Sequence, residues 1–186
     1  MKIYAVRHCQ SLANVKGIID NNATPNGEND LLSEEGKEQA RELAKKLEKY
    51  KIDKVIVSDF RRTKETVEPY LENHPLKLIS LDLIRERNAG VFAGKPLNAV
   101  KLYCTEHNIT DRIAFKPEQG ESLLETYERV KQFVAYLKKN FKGEHILVCS
   151  HSRFLMCFNV LMQDIPIQNL YSSEEFKNGD IKEYSL

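Results

Sequence analysis

Three short apolar runs constrain the fold of this chain more than any other feature of its sequence. They span residues 2–7, 54–58 and 144–150, and each is rich in Val, Ile or Leu. Their apolar residues are largely continuous rather than alternating, which is typical of strands covered on both faces in a parallel sheet. A weaker fourth strand is predicted over residues 76–79.

Helical periodicity fills the intervals between these runs. Ser33 is the predicted N-cap of a helix whose apolar positions repeat every three to four residues. Further helices are predicted over 62–72, where Pro69 should kink or shorten the helix, over 122–140, and over 152–163 as a buried helix. This alternation predicts an α/β fold, a three-layer sandwich with a mostly parallel central sheet flanked by helices.

Two regions show no periodicity and are interpreted as loops or lid-like insertions. Residues 17–31 are rich in Asn and Gly, and residues 88–117 are interrupted by Gly and Pro. Near the end of the chain, Asn178-Gly179 is a candidate turn for a late hairpin.

Length and charge exclude several classes of protein. A chain of 186 residues fits one domain, so residues 1–186 are predicted to form a single domain. With 28 Lys and Arg against 27 Asp and Glu, no basic field is available for nucleic acid or an anionic membrane. Four cysteines without a C-x-x-C pair, and no apolar leader, favour a cytoplasmic protein with free thiols. The oligomeric state stays open between monomer and dimer.

Four chemically competent side chains each follow a predicted strand: His8, Arg62, Glu86 and His151. In open α/β sheets ligands bind beyond the carboxyl ends of the strands, so these residues should converge, together with Arg7. The set suits a phosphoryl group, since guanidinium forks match phosphate oxygens, imidazole is nucleophilic and a carboxyl group can protonate a leaving alkoxide. Taken singly, each of these residues is more often structural or solvated, and their shared position selects them.

A metal site is not predicted. Cys149 and His151 share one face of a strand, but Cys9 should point away from His8 and no acidic partner lies at ligand spacing.

The segment Arg7-His8-Cys9-Gln10-Ser11-x-x-Asn14 resembles the Arg-His-Gly-[Glu/Gln]-[Thr/Ser]-x-x-Asn signature of the histidine phosphatase superfamily, which includes the cofactor-dependent phosphoglycerate mutases. Further similar blocks follow in the family's order: Leu32-Ser33-Glu34-Glu35-Gly36-x-x-Gln39-Ala40, Ser58-x-x-x-Arg62-x-x-x-Thr66, Glu86-x-x-x-Gly90-x-x-x-Gly94, Gly120-Glu121-Ser122 with Arg129-Val130, and Val148-x-Ser150-His151. The resemblance covers about residues 1 to 160.

The resemblance implies a phosphoglycerate mutase-like fold and a reaction without metal or cofactor. His8 would form a phosphohistidine while Arg7, Arg62 and His151 hold the phosphate oxygens. Glu86 would protonate the leaving oxygen and then activate water. The substrate-binding set that accompanies them also contains Ser11, Asn14 and Ser152.

Two departures from the family pattern carry expectations of their own. Cys9 and Ser152 stand where the family commonly has glycine, so a changed pocket geometry with reduced activity is one expectation. The Cys9 thiol next to His8 in the sequence makes sensitivity to oxidation a second one. Arg153, directly after Ser152, is a candidate cation for a second anionic group on the substrate, or an ordinary residue at a helix start.

Three main functions and one minor alternative are compatible with this pattern. The favoured one is a phosphomonoesterase acting on a small phosphorylated metabolite. A phosphoglycerate mutase is disfavoured because Ala89 occupies the place of a mutase tyrosine and Arg112 lacks the adjoining arginine of mutases. The third is a non-catalytic phosphate-binding regulatory module, and a protein phosphatase with a shallow site is a minor alternative.

Overall fold

The structure is a computed structural model that describes residues 1–20 and 27–186. Within these residues, a sheet of five strands has the order β3-β2-β4-β1-β5. The strands are β1 (Lys2–Arg7), β2 (Lys54–Ser58), β3 (Leu78–Leu81), β4 (His145–Ser150) and β5 (Ile181–Ser185). Pairing is parallel from β3 through β2 and β4 to β1, whereas β5 runs antiparallel to β1.

The α-helices of the described residues are α1 (Leu12–Lys16), α2 (Glu34–Leu47), α3 (Arg61–Leu71), α4 (Ala99–Glu106), α5 (Leu123–Asn140) and α6 (Ser152–Met162). The expected N-cap of α2 is confirmed, because the hydroxyl of Ser33 accepts a hydrogen bond from Gly36 N at 3.0 Å. Ser122 and Glu125 form a reciprocal capping box at the start of α5. The sequence therefore marks the starts of both long helices.

The helices form one layer on each face of the sheet. In β1, Ile3 and Ala5 pack in the hydrophobic cluster that contains α5 and α6, whereas Tyr4 and Val6 pack with α2 and α3. Alternate side chains of one strand thus serve two cores, as a strand covered on both faces requires. The expected α/β sandwich with a mostly parallel sheet is confirmed.

Two local expectations were wrong. Region 88–117 is not loop throughout, since it contains α4; the glycines and proline that interrupt the pattern all lie before its start. Pro69, the expected kink or early end of its helix, lies in the last turn of α3, and the helix ends two residues later at Leu71. The turn at Asn178-Gly179 leads not into a hairpin but into β5, which pairs with the first strand of the chain. In the other predicted loop, 17–31, residues 21–26 lie outside the described part.

Candidate active site

Most of the predicted site residues line one cavity of about 500 Å³ at the carboxyl ends of the parallel strands. Those lining it are Arg7, His8, Ser11, Asn14, Arg62, Glu86 and Ser152. His151 does not line it, because its side chain is fully buried, with its ring 5.3 Å from the ring of His8. The sheet topology therefore brings together residues that are as far apart in the sequence as Arg7 and Ser152.

The imidazole of His8 is held in one tautomer. Its Nδ1 lies 2.7 Å from the carbonyl oxygen of Cys9, which can only accept, so Nδ1 carries the proton and Nε2 keeps its lone pair. Burial lowers the pKa of His8 well below its ordinary value, and the positive charges of Arg62 and Arg7 lower it further. His8 is therefore a neutral imidazole near pH 7, which is the form a nucleophile requires.

His151 is also buried and neutral. Nε of Arg62 donates a hydrogen bond to its Nδ1 at 3.3 Å, which leaves the proton on Nε2. That buried Nε2 has no hydrogen-bond partner among the described residues. Burial, followed by the charge of Arg62, lowers the pKa of His151 well below its ordinary value. His151 thus holds an unused N–H donor next to the ring of His8.

Two aspartates that the sequence analysis missed hold the guanidinium of Arg62. Nη1 donates to Oδ1 of the buried Asp30 at 2.7 Å and to Oδ2 of Asp20 at 3.4 Å, while Nη2 donates to the carbonyl of Asp20 at 3.0 Å. The guanidinium also lies 4.5 Å from the centre of the Phe60 ring. Burial lowers the pKa of Arg62, an effect that Asp30 and Asp20 oppose. No spacing signal in the sequence points to either aspartate.

The segment before β5 holds the loop that carries His8. Nη1 of Arg7 donates to the carbonyl of Phe176 at 2.7 Å, and Nδ2 of Asn178 donates to the carbonyl of His8 at 2.8 Å and to Oδ1 of Asn14 at 3.1 Å. The buried Nε of Arg7 has no partner among the described residues. Asn178 was singled out in the sequence only as a turn residue, and its contact with the site is a finding of the structure.

Ser11 and Asn14 form the capping box of the short helix α1. The hydroxyl of Ser11 accepts from Asn14 N at 3.3 Å, and Oδ1 of Asn14 accepts from Ser11 N at 3.1 Å. These bonds fix the loop after His8, and both side chains line the cavity.

Glu86 caps the N-terminus of α6, the helix that begins directly after His151. Its Oε1 accepts from the backbone N–H groups of Arg87 at 2.9 Å, Arg153 at 2.9 Å and Phe154 at 3.1 Å. Within the described part of the chain, its Oε2 accepts from Arg153 N alone, at 3.1 Å. The helix end thereby orients the carboxyl group, and Oε2 is the oxygen with free capacity for a proton.

The motif block of residues 32–40 lets α2 pack closely against the loop after His8. A Cβ atom on Gly36 would lie 1.9 Å from the carbonyl oxygen of Gln10, so only glycine lets α2 approach the loop after His8 this closely. Oε1 of Gln39 accepts from Gln10 N at 3.0 Å in the same contact. The glycine and glutamine of this block therefore support the site without touching the cavity.

Arg129 connects α5 to the segment that carries Glu86. Its Nη1 donates to the carbonyls of Leu83 at 2.9 Å and Arg85 at 2.8 Å. Its Nε and Nη2 donate to the carboxylate of Glu121 at 2.9 Å and 2.8 Å. Glu121 and Arg129 of the motif pattern therefore have a structural role, because they hold the segment that carries Glu86 against α5.

The thiol of Cys9 is not exposed to the cavity. It is fully buried in the hydrophobic cluster of α2 and α3, and its Sγ lies 3.6 Å from the position that a Cβ on Gly179 would take. Burial raises the pKa of Cys9 to about 11, which disfavours the thiolate that oxidants attack. The structure thus argues against oxidation of Cys9 as a switch. The side chain is accommodated in the hydrophobic cluster and does not take up space in the cavity.

Neither a metal-ligand cluster nor a membrane-spanning helix occurs in the part of the chain that the structure describes. No three His, Cys, Asp or Glu side chains of residues 1–20 and 27–186 are grouped so as to hold a metal ion. None of the helices found there is both long and apolar enough to cross a bilayer.

The model of the histidine phosphatase superfamily, branch 1, matches residues 3–184. Phosphoserine phosphatase 1 of Hydrogenobacter thermophilus is 30% identical over 155 residues, which is 82% of this chain and 71% of that protein. A protein of Schizosaccharomyces pombe that is named as a phosphatase is 37% identical over 109 residues, or 58% of this chain and 50% of its own length. The chain thus aligns with only half of that relative.

Solved structures agree with the fold. The alpha-ribazole phosphatase of Shigella flexneri superposes with a TM-score of 0.84 at 22% identity, covering 98% of this chain and 89% of that one. Bacillus stearothermophilus YhfR superposes with a TM-score of 0.85 at 20% identity, with coverage of 98% and 89%. Because the family model spans nearly the whole chain, including the strands that carry His8 and His151, this protein belongs to the histidine phosphatase superfamily.

Proposed function

We propose that the protein is a phosphomonoesterase that hydrolyses a small phosphorylated metabolite without a metal ion, through a phosphohistidine on His8. Membership of the superfamily and relatives named as phosphatases support the hydrolase class. The observation that carries the mechanism is a neutral, buried imidazole whose Nε2 keeps its lone pair and which lines one cavity together with the guanidinium groups of Arg7 and Arg62. We also propose that the protein is a single domain and acts in the cytoplasm.

In the first step, Nε2 of His8 attacks phosphorus in line as the bond from phosphorus to the ester oxygen breaks. The hydrogen bond from Nδ1 to the carbonyl of Cys9 stabilises the positive charge that develops on the ring. Glu86 gives its proton to the departing alkoxide, so that an alcohol leaves and Glu86 becomes a carboxylate.

The charge of the transferring phosphoryl group requires donors at its equatorial oxygens. The buried Nε of Arg7 and Nε2 of His151 have no partner among the described residues, so a bound phosphoryl group would satisfy both. Arg62 contributes positive charge and orients His151 through its Nε.

In the second step, water attacks the phosphohistidine. The carboxylate of Glu86 accepts the proton of that water, the bond from nitrogen to phosphorus breaks, and orthophosphate leaves with His8 neutral again. The backbone donors that hold Glu86 serve both steps, because the carboxyl group need not move when it changes from acid to base.

The test is hydrolysis of p-nitrophenyl phosphate by the intact chain, in the presence and absence of EDTA. We expect turnover to persist in EDTA and to be lost in His8→Ala. Quenching in SDS at alkaline pH during turnover of a ³²P-labelled ester should trap a phosphoenzyme in the wild type and not in His8→Ala, and the label should be released by later acid treatment.

His107→Ala is the matched control, since His107 is an exposed histidine that does not line the cavity. It should keep wild-type turnover. Failure of the wild type to hydrolyse any ester of a broad panel would instead indicate a phosphate-binding module, and activity that EDTA abolishes would contradict the metal-independent mechanism.

A further inference from the structure

Two arginines lie close to the ring of Tyr171 in the lining of the cavity. The guanidinium carbon of Arg112 lies 4.4 Å from the centre of the Tyr171 ring, and that of Arg153 lies 5.8 Å from it. The three residues come from distant parts of the chain, and all three line the cavity that also contains His8 and Glu86. We call Arg112 and Arg153 the arginine pair.

The arginine pair has little compensating negative charge. Arg112 forms no ion pair among the described residues, and its buried Nε has no hydrogen-bond partner there. The guanidinium of Arg153 has one acidic contact among the described residues, Oε1 of Glu175 at 3.5 Å, and the side chain of that glutamate is 67% exposed. Buried or half-buried N–H donors are normally paired, so this part of the cavity is suited to an anion.

The surrounding charges strengthen this preference. Burial lowers the pKa of Arg7; the charge of Glu86 opposes this effect, and the charge of Arg153 adds to it. Burial is also the largest cause of the lowered pKa of Arg87, which Tyr171 opposes and the charge of Arg153 lowers further. Cations that depress one another's pKa share a positive potential, which an anionic ligand would relieve.

Two of the three acids that line the cavity are committed elsewhere, since Glu86 accepts backbone N–H groups of α6 and Asp20 contacts Arg62. The third, Glu175, is the exposed carboxylate that contacts Arg153. Among the described residues, the two guanidinium groups of the arginine pair therefore share one exposed carboxylate.

We propose that the arginine pair and Tyr171 bind a second anionic group of the substrate, a carboxylate or a second phosphate, while the scissile phosphate lies at His8. The inference rests on the proposed phosphomonoesterase function and assigns its substrate class. Planar guanidinium groups pair bidentately with either kind of anion, and the Tyr171 ring supports both guanidinium groups by stacking. The cavity of about 500 Å³ has room for a metabolite of this kind.

The test compares esters that differ in the second anion. The pair 3-phosphoglycerate and glycerol 3-phosphate differs by a carboxylate in place of a hydroxymethyl group, and fructose 1,6-bisphosphate and fructose 6-phosphate differ by one phosphate. We expect kcat/KM to favour the member with the second anion by about ten-fold to a hundred-fold, the value of a hydrogen bond to a charged group. Whichever pair shows the larger ratio identifies the second anion as carboxylate or phosphate.

Arg153→Gln and Arg112→Gln should each lower that ratio by about ten-fold. The half-exposed side chain of Arg153 makes its variant the safer one for folding. Arg41→Gln, which replaces an exposed arginine on α2 outside the cavity, is the control and should keep the wild-type ratio. Equal rates for both members of each pair, or a preference that survives in both variants, would overturn the second-anion site.

This outcome is distinct from failure of the proposed function. If p-nitrophenyl phosphate is hydrolysed but the ratio is near one, the phosphatase stands and the second-anion site falls. If no ester is hydrolysed, titration calorimetry of the intact protein with the same two pairs still decides the site. Tighter binding of the doubly anionic members, lost in Arg153→Gln, would support it, and equal or undetectable binding of all four compounds would overturn it.

Discussion

Oδ2 of Asp20 lies 3.4 Å from Nη1 of Arg62, within the cavity that we propose binds phosphate. A carboxylate in this position occupies a guanidinium that a substrate phosphate would otherwise use, and it repels the phosphate. Asp30 contacts the same nitrogen at 2.7 Å but does not line the cavity, and only 1% of its side chain is exposed. The two aspartates thus have different expected effects.

Asp20→Asn should lower KM for a phosphomonoester at pH 7 by about three-fold to five-fold, because a half-buried ion pair of this kind is worth about 1 kcal/mol. Burial raises the pKa of Asp20, so the wild-type carboxyl group is neutralised as the pH falls and the difference between variant and wild type should shrink toward acidic pH. Steady-state kinetics from pH 7 to pH 5 measure both effects. Asp30→Asn is the comparison and should instead lower kcat/KM by releasing Arg62. An unchanged or higher KM in Asp20→Asn would contradict competition at Arg62.

Glu86→Gln should separate esters by their leaving groups. Glutamine still offers an oxygen to the N–H groups of Arg153 and Phe154 but has no proton to give. Hydrolysis of alkyl phosphates should fall by about 10²- to 10⁴-fold, whereas p-nitrophenyl phosphate, whose leaving group needs no proton, should lose far less. Pre-steady-state measurement of the released alcohol isolates this step. Equal losses on both esters would mean that Glu86 only positions α6.

The free energy of unfolding should decrease as the pH falls below about 6.5. Burial, followed by the charge of Arg62, holds the pKa of both His8 and His151 well below the ordinary value of 6.5. The unfolded chain therefore binds protons that the folded chain does not, and stability is lost from 6.5 down to the folded pKa values. The slope should be about 1.4 kcal/mol per pH unit for each histidine.

Urea denaturation at a series of pH values measures this slope. His8→Gln should reduce the slope of the free energy of unfolding against pH by the contribution of one histidine. His107→Ala, at an exposed histidine, should leave the slope unchanged. A slope that His8→Gln does not alter would show that other groups govern the acid sensitivity.

Gly36→Ala should destabilise the protein by about 1–3 kcal/mol or more, since the new Cβ would lie 1.9 Å from a backbone oxygen of Gln10. The same contact positions the loop of His8, so activity should fall with stability. Gly27→Ala is a matched control, because no described residue outside its chain neighbours lies within 4 Å of the Cβ it would gain. Chemical denaturation of both variants makes the comparison, and equal stabilities would show that α2 can shift without cost.

The convergence of His8, Arg62 and Glu86 could be predicted because parallel strands place their carboxyl ends at one edge of a sheet. Helix starts could be predicted because Ser33 and Ser122 act on their own neighbouring backbone. These features depend on local chemistry or on the general rules of parallel sheets.

Contacts across long sequence separations could not be predicted in the same way. Asn178 reaches the carbonyl of His8 only because β5 pairs with β1, and Asp20 and Asp30 reach Arg62 only through the fold of a region without periodicity. Helix α4 was missed because the glycines and proline before it dominated the local pattern. In the sequence Arg112 has no adjoining arginine, whereas in the structure Arg112 and Arg153 both lie close to the ring of Tyr171.

The strand order has a consequence for how the protein is made. Strand β1, which ends just before His8, pairs only with β4 and β5, and the first of these pairs joins Lys2 to His145. At ribosomal speeds of about 5–20 residues per second, this apolar strand waits roughly 7 to 28 seconds for its first partner. During synthesis the segment before the nucleophile is therefore an apolar strand with unpaired backbone N–H and C=O groups, which can pair with other chains. Its protection from aggregation depends on what the nascent chain binds before the last quarter of the sequence is translated.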